Sequence, residues 1–253
     1  GPRAEEPGYD FVIQGMSGLM SITGEKEGEP GAGSQKVGVA VVDIQTGLYA
    51  TVAIQAALLA RQHTGRGQYI DISLLDVQVA TLANQGMNYL TTGVSPKRMG
   101  NSHPNIVPYQ TFKAKDKEFI IACGNDKQFK GLCIAIGLTE LLNDQRYVKN
   151  QDRVKNRVEL IQCLSQHFLS QQAKHWVDAI HQYKVPVGVI NSIEDAFEEP
   201  QIQHRNMVLP IGHALNDQFK MIASPIRMSD TPVEYHRAPP MLGEHTAEIL
   251  SRY

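Results

Sequence analysis

Residues 37–60 constrain the fold more than any other part of the chain. The segment VGVAVV, 37–42, has no polar side chain, and IQTGLYATVAIQAALLA, 44–60, is almost entirely apolar or small. Because a helix that is apolar on all sides belongs in a protein interior, residues 44–60 are predicted to form a central, buried helix. One carboxylate, Asp43, stands between the two segments.

The segments that follow this helix predict its partners. RQHTGRG, 61–67, contains two glycines that end the helix, and QYIDIS, 68–73, alternates with a period of two and is predicted to be a strand. Helical spacing resumes in residues 74–90. Alternation of strands and helices predicts an α/β fold.

The composition changes after Thr92. GVSPKRMGNSHPNIVPY, 93–109, is rich in Pro, Gly and Asn and is predicted to be a long irregular loop, a kind of segment that often carries function. A hairpin turning near Lys115 and Asp116, several amphipathic helices and short strands are predicted beyond it. One of these helices is predicted to be capped by Asn125 or Asp126 and ended by Gly137, Ser192 is predicted to cap another, and residues 243–253 are predicted to form a final helix. The predicted division is residues 1–95 as part of a large α/β domain, 96–208 as a small domain, and 209–253 as a return segment to the large domain.

Charge and hydropathy disfavour two classes of partner. Lys and Arg number 24 against 26 Asp and Glu, a net charge of −2, so no basic surface for nucleic acid is expected. The apolar runs look too short to cross a bilayer, and residues 1–6 do not resemble a signal peptide. These features predict a soluble, cytoplasmic protein without nucleic-acid or membrane partners.

Cysteine and histidine give no metal signature. Cys123, Cys133 and Cys163 are an odd number, and no Cys or His pair has the spacing of a metal site. The three thiols are predicted to be free, buried and inert, and no metal is expected.

Asp43 allows two interpretations. By pattern it precedes a helix, and the N-cap interpretation is favoured. As an alternative, the dipole of the helix would keep the carboxylate ionised, and its N–H groups would stabilise an oxyanion. An ionised carboxylate in that place is a nucleophile for activated acyl groups.

The predicted loop contains a second candidate, His103. A general base is one interpretation, but a single histidine in a loop is more often a hydrogen-bonded structural residue. The chain has no GxGxxG, Walker or nucleophile-elbow motif. The residues alone therefore indicate an α/β protein with one candidate carboxylate and one candidate loop.

Four segments resemble class III CoA-transferases, the family of formyl-CoA and carnitine CoA-transferases and α-methylacyl-CoA racemases. The likeness runs along nearly the whole chain and is most specific around Asp43. It implies a large Rossmann-like α/β domain, a smaller α+β domain and an interlocked homodimer. The segments are residues 1–24, 37–76, 98–112 and 238–250.

The resemblance also implies an activity. Family transferases move CoA from an acyl-CoA thioester to a free carboxylic acid through a covalent intermediate on an aspartate, and that aspartate falls on Asp43. Coenzyme A thioester is then a substrate, and no cofactor is bound permanently.

Other residues carry over individually. Tyr9, Asp10 and Leu74 match positions that contact CoA. Racemases of the family have a sequence that resembles Gly-His-Asp at the place where this chain has Gly8-Tyr9-Asp10. Tyrosine, with a pKa of ~10, is a poor base at neutral pH. This difference favours the transferase over the racemase.

The loop matches the glycine loop of formyl-CoA transferase, although the glycine run is replaced by Gly100, Asn101, Ser102 and His103. It looks more like the loop of members that handle dicarboxylates. Asn101 or His103 is the expected contact for a second carboxylate.

Family chains are longer, and roughly their first third has no counterpart here. An acyl-CoA racemase or epimerase of the same family, and a non-catalytic fragment, remain the alternative functions.

Overall fold

The computed structural model describes residues 1–252. The chain divides into two compact units, Gly1–Gly188 and the part from Val189 onward. The predicted domain limits at 95 and 208 stay a prediction. The helices are α1 (Asp10–Met16), α2 (Leu19–Ile22), α3 (Val41–Thr64), α4 (Leu74–Ala80), α5 (Ala83–Thr92), α6 (Asp126–Ala135), α7 (Asn150–Lys155), α8 (Arg157–Phe168), α9 (Ala173–His181), α10 (Ile193–Glu198), α11 (Pro200–His204) and α12 (Thr246–Leu250). The strands are β1 (Tyr109–Lys113), β2 (Glu118–Ala122), β3 (Val187–Val189), β4 (Val208–Pro210) and β5 (Lys220–Ile222).

The mixed α/β class is confirmed, but residues 1–95 contribute only helices to it. In this part α1, α3 and α4 pack against one another. The predicted strand at 68–73 is wrong, since these residues have no regular secondary structure. A strand needs a hydrogen-bonded neighbour, and no described segment pairs with this one.

Helix α3 begins and ends near the predicted residues, with Gly65 in the left-handed conformation after its last turn. The prediction that it is buried is wrong for this chain. Leu48, Val52 and Leu59 are 63%, 65% and 59% exposed. The physical reason is that α1 and α4 cover only part of the helix, so most of its apolar surface has no described neighbour.

The expectation that every apolar run is too short to cross a bilayer also needs correction. By length and composition α3, which has 24 residues, is the one described helix able to do so. Core helices of water-soluble proteins can have the same length and composition.

The core of the first unit surrounds a hairpin. Strands β1 and β2 are antiparallel, with Lys113 opposite Glu118, so the turn falls at Lys115 and Asp116 as predicted. Strand β3 joins β2 to complete a three-stranded sheet. Phe168 packs within about 5 Å of the rings of Phe112, Phe119 and Trp176. These contacts attach α8 and α9 to the sheet.

Helix α6 confirms its predicted ends. The Asn125 side chain caps it by accepting from the Gln128 N–H, and Gly137 follows its end in the left-handed conformation. Cys123 and Cys133 are buried as expected, whereas Cys163 is exposed, contrary to the prediction. The reason is that Cys163 lies on the outer side of α8, whose buried side carries Leu160 and Leu164.

The second unit has little regular structure. Ser192 begins α10 with a capping box completed by Asp195, and β4 pairs antiparallel with β5. The predicted final helix is present as α12. These local signals are confirmed because each depends on residues close together in the chain.

Candidate active site

Asp43 lies in the first turn of α3 but does not cap it. The helix begins at Val41 with Ala40 in the N-cap position, so Asp43 is the third helical residue. The N-cap interpretation is therefore wrong, because Asp43 lies three residues beyond the N-cap. Its side chain is exposed and makes no hydrogen bond or ion pair with any described residue.

The cap of α3 comes from a different helix. The Val42 N–H donates to Asp10 Oδ1 over 2.8 Å, and Gln14 Nε2 donates to Asp10 Oδ2 over 2.7 Å. Gln14 Oε1 in turn accepts from the Val37 N–H over 2.9 Å, and the Gln14 side chain is fully buried. Asp10 and Gln14 thus hold both the segment before α3 and its first turn.

The hydrogen bonds of Asp10 and Gln14 leave the Asp43 N–H at the start of α3 unused. The Val41 N–H donates to the Val39 carbonyl, and the Ile44 N–H donates to the Ala40 carbonyl. The Asp43 N–H has no acceptor among residues 1–252. An exposed carboxylate thus lies beside the positive end of a 24-residue helix and a free N–H group, which is the setting that stabilises negative charge.

Sequence reasoning missed Gln14. The available signal was its i, i+4 spacing from Asp10, which places the two side chains on one side of a helix. What the sequence did not contain was the partner of Asp10, because Val42 lies 32 residues away.

The residues predicted to contact CoA lie on neighbouring helices. Tyr9 precedes α1 and is 78% exposed, and Leu74 is the half-buried first residue of α4. A cavity of about 540 Å³ is lined by Leu74 together with Gly8 and Ile13, but not by Asp43. The Asp10–Val42 hydrogen bond puts Asp10 and its neighbour Tyr9 beside the start of α3, and Leu74 shares the cavity with Gly8.

The loop 98–109 is anchored on other segments. The Gly100 N–H donates to the Gly24 carbonyl over 3.2 Å, and its φ is +57°. A Cβ there would lie 2.9 Å from Glu25 Oε2, a contact that the flexible Glu25 side chain can relieve, so it is the positive φ that favours glycine. Asn101 Nδ2 donates to Thr111 Oγ1 over 3.3 Å.

His103 is half-buried and well bonded. Its Nδ1 accepts from the Asn105 N–H over 3.1 Å, and its ring packs 5.1 Å from that of Tyr109. Burial lowers the pKa of His103, and the charge of Arg157 lowers it further. A neutral ring that accepts at Nδ1 carries its proton on Nε2, so it presents a donor there.

The structure links Asp10 to the start of α3 but shows no such link for the loop among the described residues. No hydrogen bond or ion pair within residues 1–252 joins the 98–109 loop to Asp43 or Asp10. The described residues also contain no group of three His, Cys, Asp or Glu side chains suited to a metal ion.

Fold and site together define a class: a mixed α/β protein that presents an unpaired carboxylate at a helix N-terminus. The chain belongs to CoA-transferase family III, whose family model matches residues 1–246. The expected family is thereby confirmed.

The relatives agree with this assignment. The chain is 46% identical over 251 residues to a succinate–glutarate CoA-transferase of Agrobacterium fabrum, covering 99% of this chain and 62% of the relative. It is 39% identical to an acetyl-CoA:oxalate CoA-transferase of Acetobacter aceti, and the match covers 100% of this chain and 63% of that relative. A crystal structure of a CAIB/BAIF family protein from Brucella suis matches with a TM-score of 0.82 at 44% identity, covering 100% of this chain and 64% of that one. The chain thus spans less than two thirds of the length of these relatives.

Proposed function

We propose that the protein moves CoA from an acyl-CoA thioester to a free carboxylic acid, with Asp43 as the nucleophile. The observation that carries the proposal is the exposed, unpaired Asp43 carboxylate in the first turn of α3. The named relatives act on succinate, glutarate and oxalate, which supports a dicarboxylic acid as acceptor.

The first half-reaction would form a mixed anhydride. An Asp43 oxygen attacks the thioester carbonyl, the C–S bond breaks, and CoA leaves as the thiolate. The thiolate then attacks the Asp43 carbonyl, which releases the donor acid and leaves CoA on Asp43 as a thioester. The positive end of α3 and the free Asp43 N–H are placed to stabilise the negative charge that develops in these steps.

The second half-reaction reverses these steps with the acceptor acid. Its carboxylate attacks the Asp43 thioester and displaces the thiolate, which attacks the acceptor carbonyl and restores Asp43. The bond energy of the thioester is kept only if water is excluded throughout.

The other predicted residues have supporting roles in this proposal. Tyr9, Asp10 and Leu74 contact the CoA portion. Asp10 also fixes the helix that carries Asp43. Gly100, Asn101 and His103 belong to the loop that receives the acceptor, with Asn101 Nδ2 or His103 Nε2 as donor to its second carboxylate.

The proposal also covers the assembly, location, partners and domains of the enzyme. It works as an interlocked homodimer in the cytoplasm, without a permanent cofactor, a nucleic-acid partner or a membrane. Residues 1–95 and 209–253 belong to the large domain, and 96–208 to the small one.

The test is chemical trapping in the full-length protein. After incubation with succinyl-CoA, hydroxylamine or borohydride should modify Asp43, which mass spectrometry of its peptide detects. Asp43→Asn should lose both trapping and CoA transfer to glutarate.

Asp76→Asn is the matched control, because Asp76 is also an exposed acid in the first turn of a helix. It should keep both activities. Transfer by wild type with an unmodified Asp43, or by Asp43→Asn at the wild-type rate, would refute the mechanism. Exchange of the α-proton of the acyl group with deuterated solvent, without transfer, would instead identify a racemase.

A further inference from the structure

One side of α7 and the start of α8 faces the 98–109 loop. Asn150 and Arg153 are three residues apart in α7, which places them on one side of that helix, and Arg157 is the first residue of α8. All three side chains bond to the backbone of residues 103–107. We call these three residues the loop anchor.

The loop anchor satisfies five backbone groups that have no secondary structure of their own. Asn150 Nδ2 donates to the Asn105 carbonyl over 2.8 Å, and its Oδ1 accepts from the Val107 N–H over 3.2 Å. Arg153 Nε donates to the Val107 carbonyl over 2.7 Å. Arg157 Nη2 donates to the carbonyls of His103 and Pro104 over 3.0 and 2.9 Å.

Arg153 is the structural part of the anchor. It is fully buried, its charge is paired with Asp126 over 2.9 Å, and it lies over the Phe129 ring. Removing a buried, fully bonded charge would disturb the whole core. Its substitution is therefore a poor test of function.

Arg157 differs from Arg153 in two respects. It is only half-buried, and it forms no ion pair with a described carboxylate. All its hydrogen bonds to described residues end on the backbone of the loop, at His103 and the residue after it. An arginine used in this way sets the position of a backbone segment at a partly wet surface.

We propose that Arg157 is a positioning residue for the acceptor acid: it holds the His103–Pro104 backbone so that His103 Nε2 points its proton toward the acceptor's second carboxylate. The proposal rests on the proposed CoA-transferase function and deepens it. The Asn105 N–H on His103 Nδ1 supplies the second constraint, because it orients the ring once the backbone is held.

The experiment compares three variants of the full-length protein, Arg157→Gln, Arg157→Lys and the control Lys155→Gln. Lys155 is exposed at the end of α7 and has no described hydrogen bond or ion pair, so its loss changes only the local charge. KM and kcat are measured with succinyl-CoA as donor and glutarate as acceptor.

Arg157→Gln should raise the KM for glutarate about tenfold, the equivalent of one lost charge-assisted hydrogen bond. The KM for succinyl-CoA should change by less than about twofold, since the loop does not hold the donor in this proposal. Arg157→Lys should recover part of the effect, and Lys155→Gln should match wild type. A loss of kcat with the same change of KM for glutarate and for succinyl-CoA, together with a lower melting temperature, would overturn the proposal in favour of a purely structural role.

Hydrogen exchange supplies a readout that needs no activity. The amides of residues 103–107 should exchange about tenfold faster in Arg157→Gln than in Lys155→Gln, while α9 stays unchanged. Unchanged exchange at 103–107 would overturn the proposal. A wild-type protein that transfers no CoA would refute the proposed function, while the exchange result would still decide whether Arg157 holds the loop.

Discussion

Asp10→Ala is the most informative perturbation of the site. It removes the acceptor of the Val42 N–H at the start of α3 and the acceptor of Gln14 Nε2 in a buried side chain. Asp43 itself is unchanged in this variant. The substitution therefore tests how the start of α3 is held in place, without altering the proposed nucleophile.

The magnitude follows from three contributions. A lost helix cap costs about 1 kcal/mol, and a lost negative charge at a helix N-terminus costs about 0.5 kcal/mol. A buried amide left without a partner costs about 1–2 kcal/mol, here at Gln14. Asp10→Ala should therefore lower the free energy of unfolding by about 2–4 kcal/mol.

Asp10→Asn separates these contributions. Its Oδ1 still accepts from the Val42 N–H, but its NH₂ group faces the NH₂ group of Gln14. Gln14 cannot simply turn over, because its Oε1 already accepts from the Val37 N–H. We expect a cost of about half that of Asp10→Ala.

The assay is urea unfolding of the full-length protein, combined with the rate of Asp43 trapping by succinyl-CoA and hydroxylamine. The control is Asp76→Ala, whose carboxylate has no described hydrogen bond and contributes only its charge near the start of α4. If Asp10→Ala unfolds within about 0.5 kcal/mol of wild type, the inference that Asp10 and Gln14 hold the start of α3 is refuted.

Two further predictions concern protonation. Burial, and secondly the charge of Arg157, lower the pKa of His103 in the folded protein, so the folded state favours the neutral ring. The stability that this preference contributes is complete above the unfolded pKa of about 6.5. It is lost as the pH falls through the lower pKa of the folded state. The urea midpoint of wild type should thus fall more steeply on acidification than that of His103→Gln, and parallel curves would contradict the assignment. Burial raises the pKa of Cys123 and of Cys133 to about 12, whereas Cys163 is exposed. Iodoacetamide near pH 8 should therefore label only Cys163 among the three cysteine peptides of the native protein. Labelling of Cys123 or Cys133 without denaturant would contradict this prediction.

Local features of the fold were predictable because the groups that form them are close in the chain. The Asn125 cap of α6, the Ser192 capping box and the turn at Lys115 and Asp116 each join residues within about one helical turn or one hairpin. The errors fell where a distant surface decides the outcome. The 68–73 segment has the alternation of a strand but no paired neighbour, and α3 has the composition of a core helix but a largely exposed surface.

The candidate site shows the same division. The family, the candidate aspartate and the candidate loop could be predicted from the sequence, since each depends on residue type along the chain. Two contacts could be found only from the packing of the helices: Asp10 caps α3 in place of Asp43, and Arg157 holds the backbone of His103. These contacts join residues 32 and 54 positions apart, and no local pattern specifies them because they depend on which faces of the helices pack together.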